Sequence, residues 1–127
     1  MRLLLDTQAL LWGLADDKRL GPRARAAFRS PDDELYVSAA SFWEMGIKAG
    51  LGKLPLPVPL DRLVLDLEEA GFRELPVLWR HARSVQELPW HHRDPFDRMI
   101  IAQALSEDLT LMSSDRLFKR YKVRLIW

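Results

Sequence analysis

The chain has 127 residues, 48% of them hydrophobic, which is the size of one globular domain able to bury roughly two thirds of the surface its unfolded form exposes. With 19 basic and 18 acidic residues it has no bulk positive field to attract polyanions, and without cysteine it has no disulfides, thiolate zinc sites or cysteine nucleophiles. Three leucines before Asp6 are too few for a signal-peptide core, and no apolar run approaches the ~20 residues of a bilayer span. The expectation is therefore a single domain over 1–127, cytoplasmic and without a membrane partner.

Leu3-Leu4-Leu5, apolar without alternation, reads as a short strand buried on both faces and ending at Asp6. Thr7 to Ala15 reads as a helix, and a second begins at Pro22, a tolerated first-turn proline, and breaks at Ser30-Pro31. Leu35 to Val37 is the next strand and Ser38 to Ala49 the next helix, after which the alternating prolines of Gly50 to Pro59 enforce a loop. Leu60, Leu63, Val64 and Leu67 have helical spacing, so Leu60 to Ala70 is a helix stopped by Gly71. A strand at Phe72 to Val77, a helix from Leu78 to Leu88, a loop at Pro89 to Asp94 and a helix from Pro95 to Glu107 follow. Leu109 to Met112 and Val123 to Ile126 are the last strands, separated by a helical turn around Leu117. Strands alternating with helices predict an α/β fold: three layers, α/β/α, around a parallel sheet of four or five strands.

In such sheets ligands bind beyond the carboxyl ends of the strands, where Asp6 and Asp115 fall. Each also suits a turn or helix N-cap, and their shared edge is what favours chemistry. Glu44 lies in line with Ala40, Ile47 and Leu51, so its carboxylate rides an apolar stripe; a pair with Lys48, four residues on, is the alternative. In Asp94-Pro95-Phe96-Asp97, Asp94 is the N-cap and Asp97 is in register with Ile100, Ile101 and Ala104, which assigns Asp94 to structure and Asp97 to the site.

Four carboxylates gathered at one edge repel one another unless a cation lies between them, and hard oxygen ligands select Mg²⁺ or Mn²⁺. Zinc is disfavoured, because there is no helical His-Glu-x-x-His and the adjacent His91 and His92 point in divergent directions, as expected of a solvent- or RNA-facing loop. Lys48, Lys53, Arg93, Arg98 and Arg116 are the candidate phosphate contacts, and the hydroxyls of Thr7 and Ser113 are either helpers at the site or turn and cap groups.

These residues resemble the PIN domains, and within them the VapC-like toxins of toxin–antitoxin pairs. Leu3 to Thr7 with Ala9 to Trp12 is similar to the family's first motif, Ser38 to Glu44 to its second, His92 to Arg98 with Ile101 to Ala104 to its third, and Ser113 to Asp115 with Phe118 to its fourth. Each motif alone is weak, but four in order at this chain length are specific. Gln8 stands where many relatives carry histidine, and Ser114 replaces a small residue before the fourth acid. The resemblance implies Mg²⁺-dependent cleavage of single-stranded or loop RNA by a metal-activated water, leaving a 5′-phosphate and a 3′-hydroxyl. Asp6, Asp97 and Asp115 would anchor metal and Glu44 would hold the second metal or the water. It also implies a cognate antitoxin whose apolar tail lies near the first and fourth helices, and a homodimer, which five tryptophans in so short a chain also favour.

Two other functions use related features. A receiver-type signalling domain also holds Mg²⁺ at strand ends, but needs an acid pair after the first strand and a lysine after the last, and this chain has neither. A non-catalytic RNA-binding PIN module would bind RNA without metal-dependent turnover.

Overall fold

The computed structural model describes residues 1–127. In chain order the elements are β1 (Arg2–Leu5), α1 (Thr7–Leu14), α2 (Pro22–Arg29), β2 (Glu34–Ser38), α3 (Ala39–Gly50), α4 (Leu60–Glu69), β3 (Arg73–Leu75), α5 (Trp79–Val85), α6 (Pro95–Glu107), β4 (Thr110–Met112), a 3₁₀ turn (Arg116–Arg120) and β5 (Leu125–Ile126). The five strands form one sheet in the order β3-β2-β1-β4-β5, every pairing parallel. Central β1 registers Leu4 against Tyr36 on one side and Leu111 on the other.

Side chains of a strand alternate between faces, so a leucine run at the sheet centre feeds two cores at once. Leu3 and Leu5 pack with Leu10 of α1, Ala24 of α2, Met45 of α3 and Leu63 and Leu67 of α4. Leu4 packs on the opposite face with Ile100 and Ile101 of α6, Leu111 and Phe118. The result is the expected three-layer α/β/α arrangement, with five strands.

Three strands are shorter than the sequence suggests, β4 by Leu109 alone and β3 and β5 by more. Pro76 has no N–H to extend the ladder beyond Leu75, and β5 pairs only through Leu125 and Ile126. Gly71, at φ +88°, turns the chain out of α4 where a side chain would be strained. No helix is long and apolar enough to cross a membrane.

Candidate active site

Three of the four singled-out acids, Asp6, Asp97 and Asp115, reach the carboxyl edge of the sheet by way of helix starts, and Glu44 reaches it from within α3. Asp6 follows β1 and caps α1, its Oδ1 accepting from Ala9 N at 2.7 Å. Asp115 follows β4 and caps the 3₁₀ turn, its Oδ1 accepting from Leu117 N at 2.9 Å. Asp97 lies in the first turn of α6, whose cap is Asp94, accepting from Phe96 N and Asp97 N at 2.8 and 3.1 Å. Glu44 is a buried residue of α3. For Asp6 and Asp115, capping and membership of the cluster prove compatible: each caps through Oδ1, leaving Oδ2 for other work.

The charge on these acids is unevenly met. Glu44 takes a partner from α1 and the Lys48 partner that its spacing offers: Thr7 Oγ1 donates to Oε1 at 2.6 Å, and Lys48 Nζ pairs with Oε2 at 2.6 Å. The same contact holds the Lys48 ammonium above its ordinary range. Asp6 is buried with no cation against it. Burial pushes its carboxyl up to about 6, Asp115 and Glu44 add to the rise, and hydrogen bonds from the Ser113 hydroxyl and Ala9 N oppose it. Asp97 is pushed up to about 7, first by burial and then by the charges of Asp94, Asp6 and Glu44, with His92 opposing. Thr7 and Ser113 thus serve the acids themselves, and Ser113 also accepts from Asp115 N at 3.1 Å.

Two expectations need correction, both in the third motif. His92 does not face solvent: it is buried, with Nε2 2.8 Å from Asp115 Oδ2 and 3.2 Å from Asp97 Oδ2, so that a ligand atom from each of these three residues lies within 4.8 Å of the others. Its neighbour His91 does remain exposed, edge-on to Tyr121 at 5.3 Å. Nor is Arg98 a phosphate contact. Its guanidinium is buried, donates to the carbonyls of Val85, Leu88, Pro89 and His92, and lies 3.9 Å from the Trp90 ring centre. It ties down the loop that delivers His92. Lys53, Arg93 and Arg116 remain exposed, and Arg116 with Lys119 lines a cleft of about 460 Å³ that also includes Ser113 and Asp115.

A local signal for His92 did exist. Asp94 N donates to His92 Nδ1 at 3.1 Å, a contact across two residues that any histidine two positions before a cap can make. Among the tryptophans, Trp12 and Trp127 pack together at 5.8 Å, whereas Trp43, Trp79 and Trp90 are 67%, 94% and 77% exposed. Trp43 stands edge-on to Phe96 at 5.2 Å, and these rings are chain neighbours of Glu44 and Asp97, at the mouth of the site.

The donor set suits a hard divalent cation: clustered carboxylate oxygens, no thiolate, and two acids whose ionised forms are disfavoured as the site stands. A cation between them would reverse that penalty.

Comparison with known proteins follows the same lines. Residues 3–124 match the family model of the PIN domain. The chain is 29% identical over 121 residues to ribonuclease VapC22 of Mycobacterium tuberculosis, covering 94% of this chain and 92% of that one. Its fold is similar to that in the crystal structure of VapBC2 from Rickettsia felis bound to a promoter DNA fragment, with a TM-score of 0.73, 16% identity, and 100% and 99% of the two chains covered. It is also similar to a chain of a toxin–antitoxin complex from Klebsiella pneumoniae, with a TM-score of 0.67, 16% identity, and 98% and 96% covered. The family match spans nearly the whole chain and takes in all four acids, and the chain belongs to the PIN-domain family.

Proposed function

We propose that this protein is a Mg²⁺-dependent endoribonuclease of the cytoplasm, cleaving single-stranded or loop RNA, and that it is the toxin of a toxin–antitoxin pair. The observation that carries the reading is the convergence of Asp6, Glu44, Asp97 and Asp115 at one sheet edge with two of them, Asp6 and Asp97, short of positive charge. The activity named for the mycobacterial relative supports the same chemistry.

Asp6, Asp97 and Asp115 hold Mg²⁺, with Mn²⁺ an acceptable substitute. When bound, the cation supplies Lewis acidity toward water and the scissile phosphate. Glu44, oriented by Thr7 and Lys48, completes the site and aligns the water or a second ion. Water attacks phosphorus, the P–O3′ bond breaks, and the departing oxygen takes up a proton, leaving a 5′-phosphate and a 3′-hydroxyl. Arg93 and Arg116 meet the RNA backbone from the rim. The apolar groove of about 660 Å³ between α3, α5 and α6, lined by Trp43, Trp90, Phe96 and Met99, takes a second copy of the chain. The cognate antitoxin lays its apolar tail along the exposed Leu14, Val64 and Leu65 of α1 and α4 and places an arginine among the carboxylates, competing with the cation.

Asp6→Asn keeps the shape of the side chain and removes one charge. The expected result is intact folding with RNA turnover reduced by on the order of 10²- to 10³-fold, the scale of losing one preorganised electrostatic group. In the wild type, EDTA should stop turnover and Mg²⁺ restore it. Cleavage that survives exhaustive chelation, or an undiminished Asn variant, overturns the proposal. RNA binding without any turnover would identify a non-catalytic module instead.

A further inference from the structure

His92, Asp97 and Asp115 present three ligand atoms close together, and an imidazole in such a group is ordinarily taken for a metal ligand. The hydrogen bonds around the ring argue otherwise. A neutral imidazole has one N–H and one acceptor nitrogen. His92 Nδ1 faces the backbone N–H of Asp94 at 3.1 Å, which can only donate, so Nδ1 is the acceptor. The ring proton is therefore on Nε2, and Nε2 is the atom that faces Asp115 Oδ2 at 2.8 Å and Asp97 Oδ2 at 3.2 Å. A nitrogen that carries a proton has no lone pair for a metal. Turning the ring over would set Cδ2–H against the Asp94 N–H and take both nitrogens from their partners, and the other tautomer would set an N–H against the Asp94 N–H, leaving that donor without an acceptor.

The ring has little freedom to escape this arrangement. The backbone N–H of His92 donates to Tyr121 Oη at 2.8 Å, and Tyr121 Oη donates in turn to Pro89 O at 2.9 Å. Arg98 holds the carbonyls of Val85, Leu88, Pro89 and His92 together from beneath. The ring itself packs on Phe118 with centroids 5.5 Å apart. The loop is thus fixed at both ends and along its length, and a side chain this well fixed is suited to orient others.

We infer that His92 is a positioning residue and not a ligand: its Nε2–H bridges Asp97 and Asp115 and fixes the direction in which each presents its remaining lone pairs to the cation. The inference rests on the proposal that Asp97 and Asp115 hold a divalent cation. It makes the third and fourth motifs one unit, since a loop residue just ahead of α6 sets the carboxylate that follows β4. Loss of the donor leaves both acids in place and chemically intact but no longer aimed. The consequence falls on the affinity for the cation, whatever the substrate.

The test uses Mn²⁺ as the probe, titrated into the full-length protein and followed by electron paramagnetic resonance. Wild-type protein should bind Mn²⁺, and its electron spin echo envelope modulation should show no directly coordinated ¹⁴N. His92→Phe keeps a ring against Phe118 and should weaken Mn²⁺ binding by about 10- to 100-fold, the usual effect of deleting an outer partner of a metal site. His92→Gln places an amide N–H near the position of Nε2 and should restore most of the lost affinity. A coordinated imidazole nitrogen in the wild type overturns the inference, and so does a Phe variant that binds as tightly as wild type. The wild-type spectrum decides the question even if the Phe variant does not fold. If the wild type binds no Mn²⁺ at all, the metal proposal fails and the inference falls with it.

Discussion

Two buried histidines, His81 and His92, are wired alike at one nitrogen and differently at the other. In each, Nδ1 accepts a backbone N–H, from Leu78 at 3.0 Å and from Asp94 at 3.1 Å, so each offers its Nε2 proton to acid. His81 meets one carboxylate, Glu107 at 2.7 Å, and Arg80 meets the same oxygen at 2.5 Å. These two donors, His81 first, hold Glu107 below its ordinary range. His92 meets two carboxylates and no guanidinium shares the load, and one of the two, Asp97, is pushed up to about 7. Donors exceed acids at the first site and acids exceed donors at the second. The first is a closed structural contact; the second is a site with room for positive charge.

Breaking the His92 side through its support should have the largest effect on stability. Arg98→Lys leaves one ammonium to serve four carbonyls and removes the planar contact with Trp90, so unfolding in denaturant should show a loss on the order of 3 kcal/mol. Mn²⁺ affinity should fall with it, because the loop that carries His92 loosens. An exposed, phosphate-binding arginine would predict the opposite pattern: unchanged stability and weaker RNA binding.

Breaking the His81 side separates structure from chemistry. His81→Phe leaves the Leu78 N–H without its acceptor and should lower stability by about 1–3 kcal/mol. Glu107 keeps Arg80, and Mn²⁺ affinity should not change. A fall in metal affinity as large as that of His92→Phe would mean that the two histidines do not differ as described.

The contrast also explains what the sequence could convey. Leu3-Leu4-Leu5 announces a doubly covered strand because nothing else buries three consecutive leucines so economically, and the sheet grows around it. Asp6, Glu44, Asp97 and Asp115 stand out in the sequence because each follows a strand or sits on an apolar helical stripe, both local patterns. His92 is legible only in part: its Nδ1 partner Asp94 is two residues on, but Asp115 lies 23 residues away and only the closed fold brings them together. Arg98 was misread for a related reason. Its carbonyl partners belong to an irregular loop, and no periodicity marks an arginine that folds back on one. The pair of Lys48 and Glu44 was legible from spacing, but whether it excluded Glu44 from the cluster was not; the distances show Glu44 facing Thr7 and Lys48 together.

The test most direct on the claim that the acid cluster is a cation site lies in the pH dependence of unfolding compared between wild type and Asp97→Asn. Burial raises Asp97 from an ordinary 3.8 to about 7, so in the folded state this group keeps its proton over a range where the unfolded chain has lost it. The folded state then binds more protons, and its contribution to stability falls as pH rises from about 4 to about 7 and is flat above that. In chelator, wild type should therefore lose stability relative to Asp97→Asn across that window. At pH 8 with Mg²⁺ at about a hundred times its dissociation constant, the wild type should regain about 2.7 kcal/mol, while the Asn variant gains far less. The account is contradicted if wild-type stability at pH 8 is indifferent to Mg²⁺ and Mn²⁺.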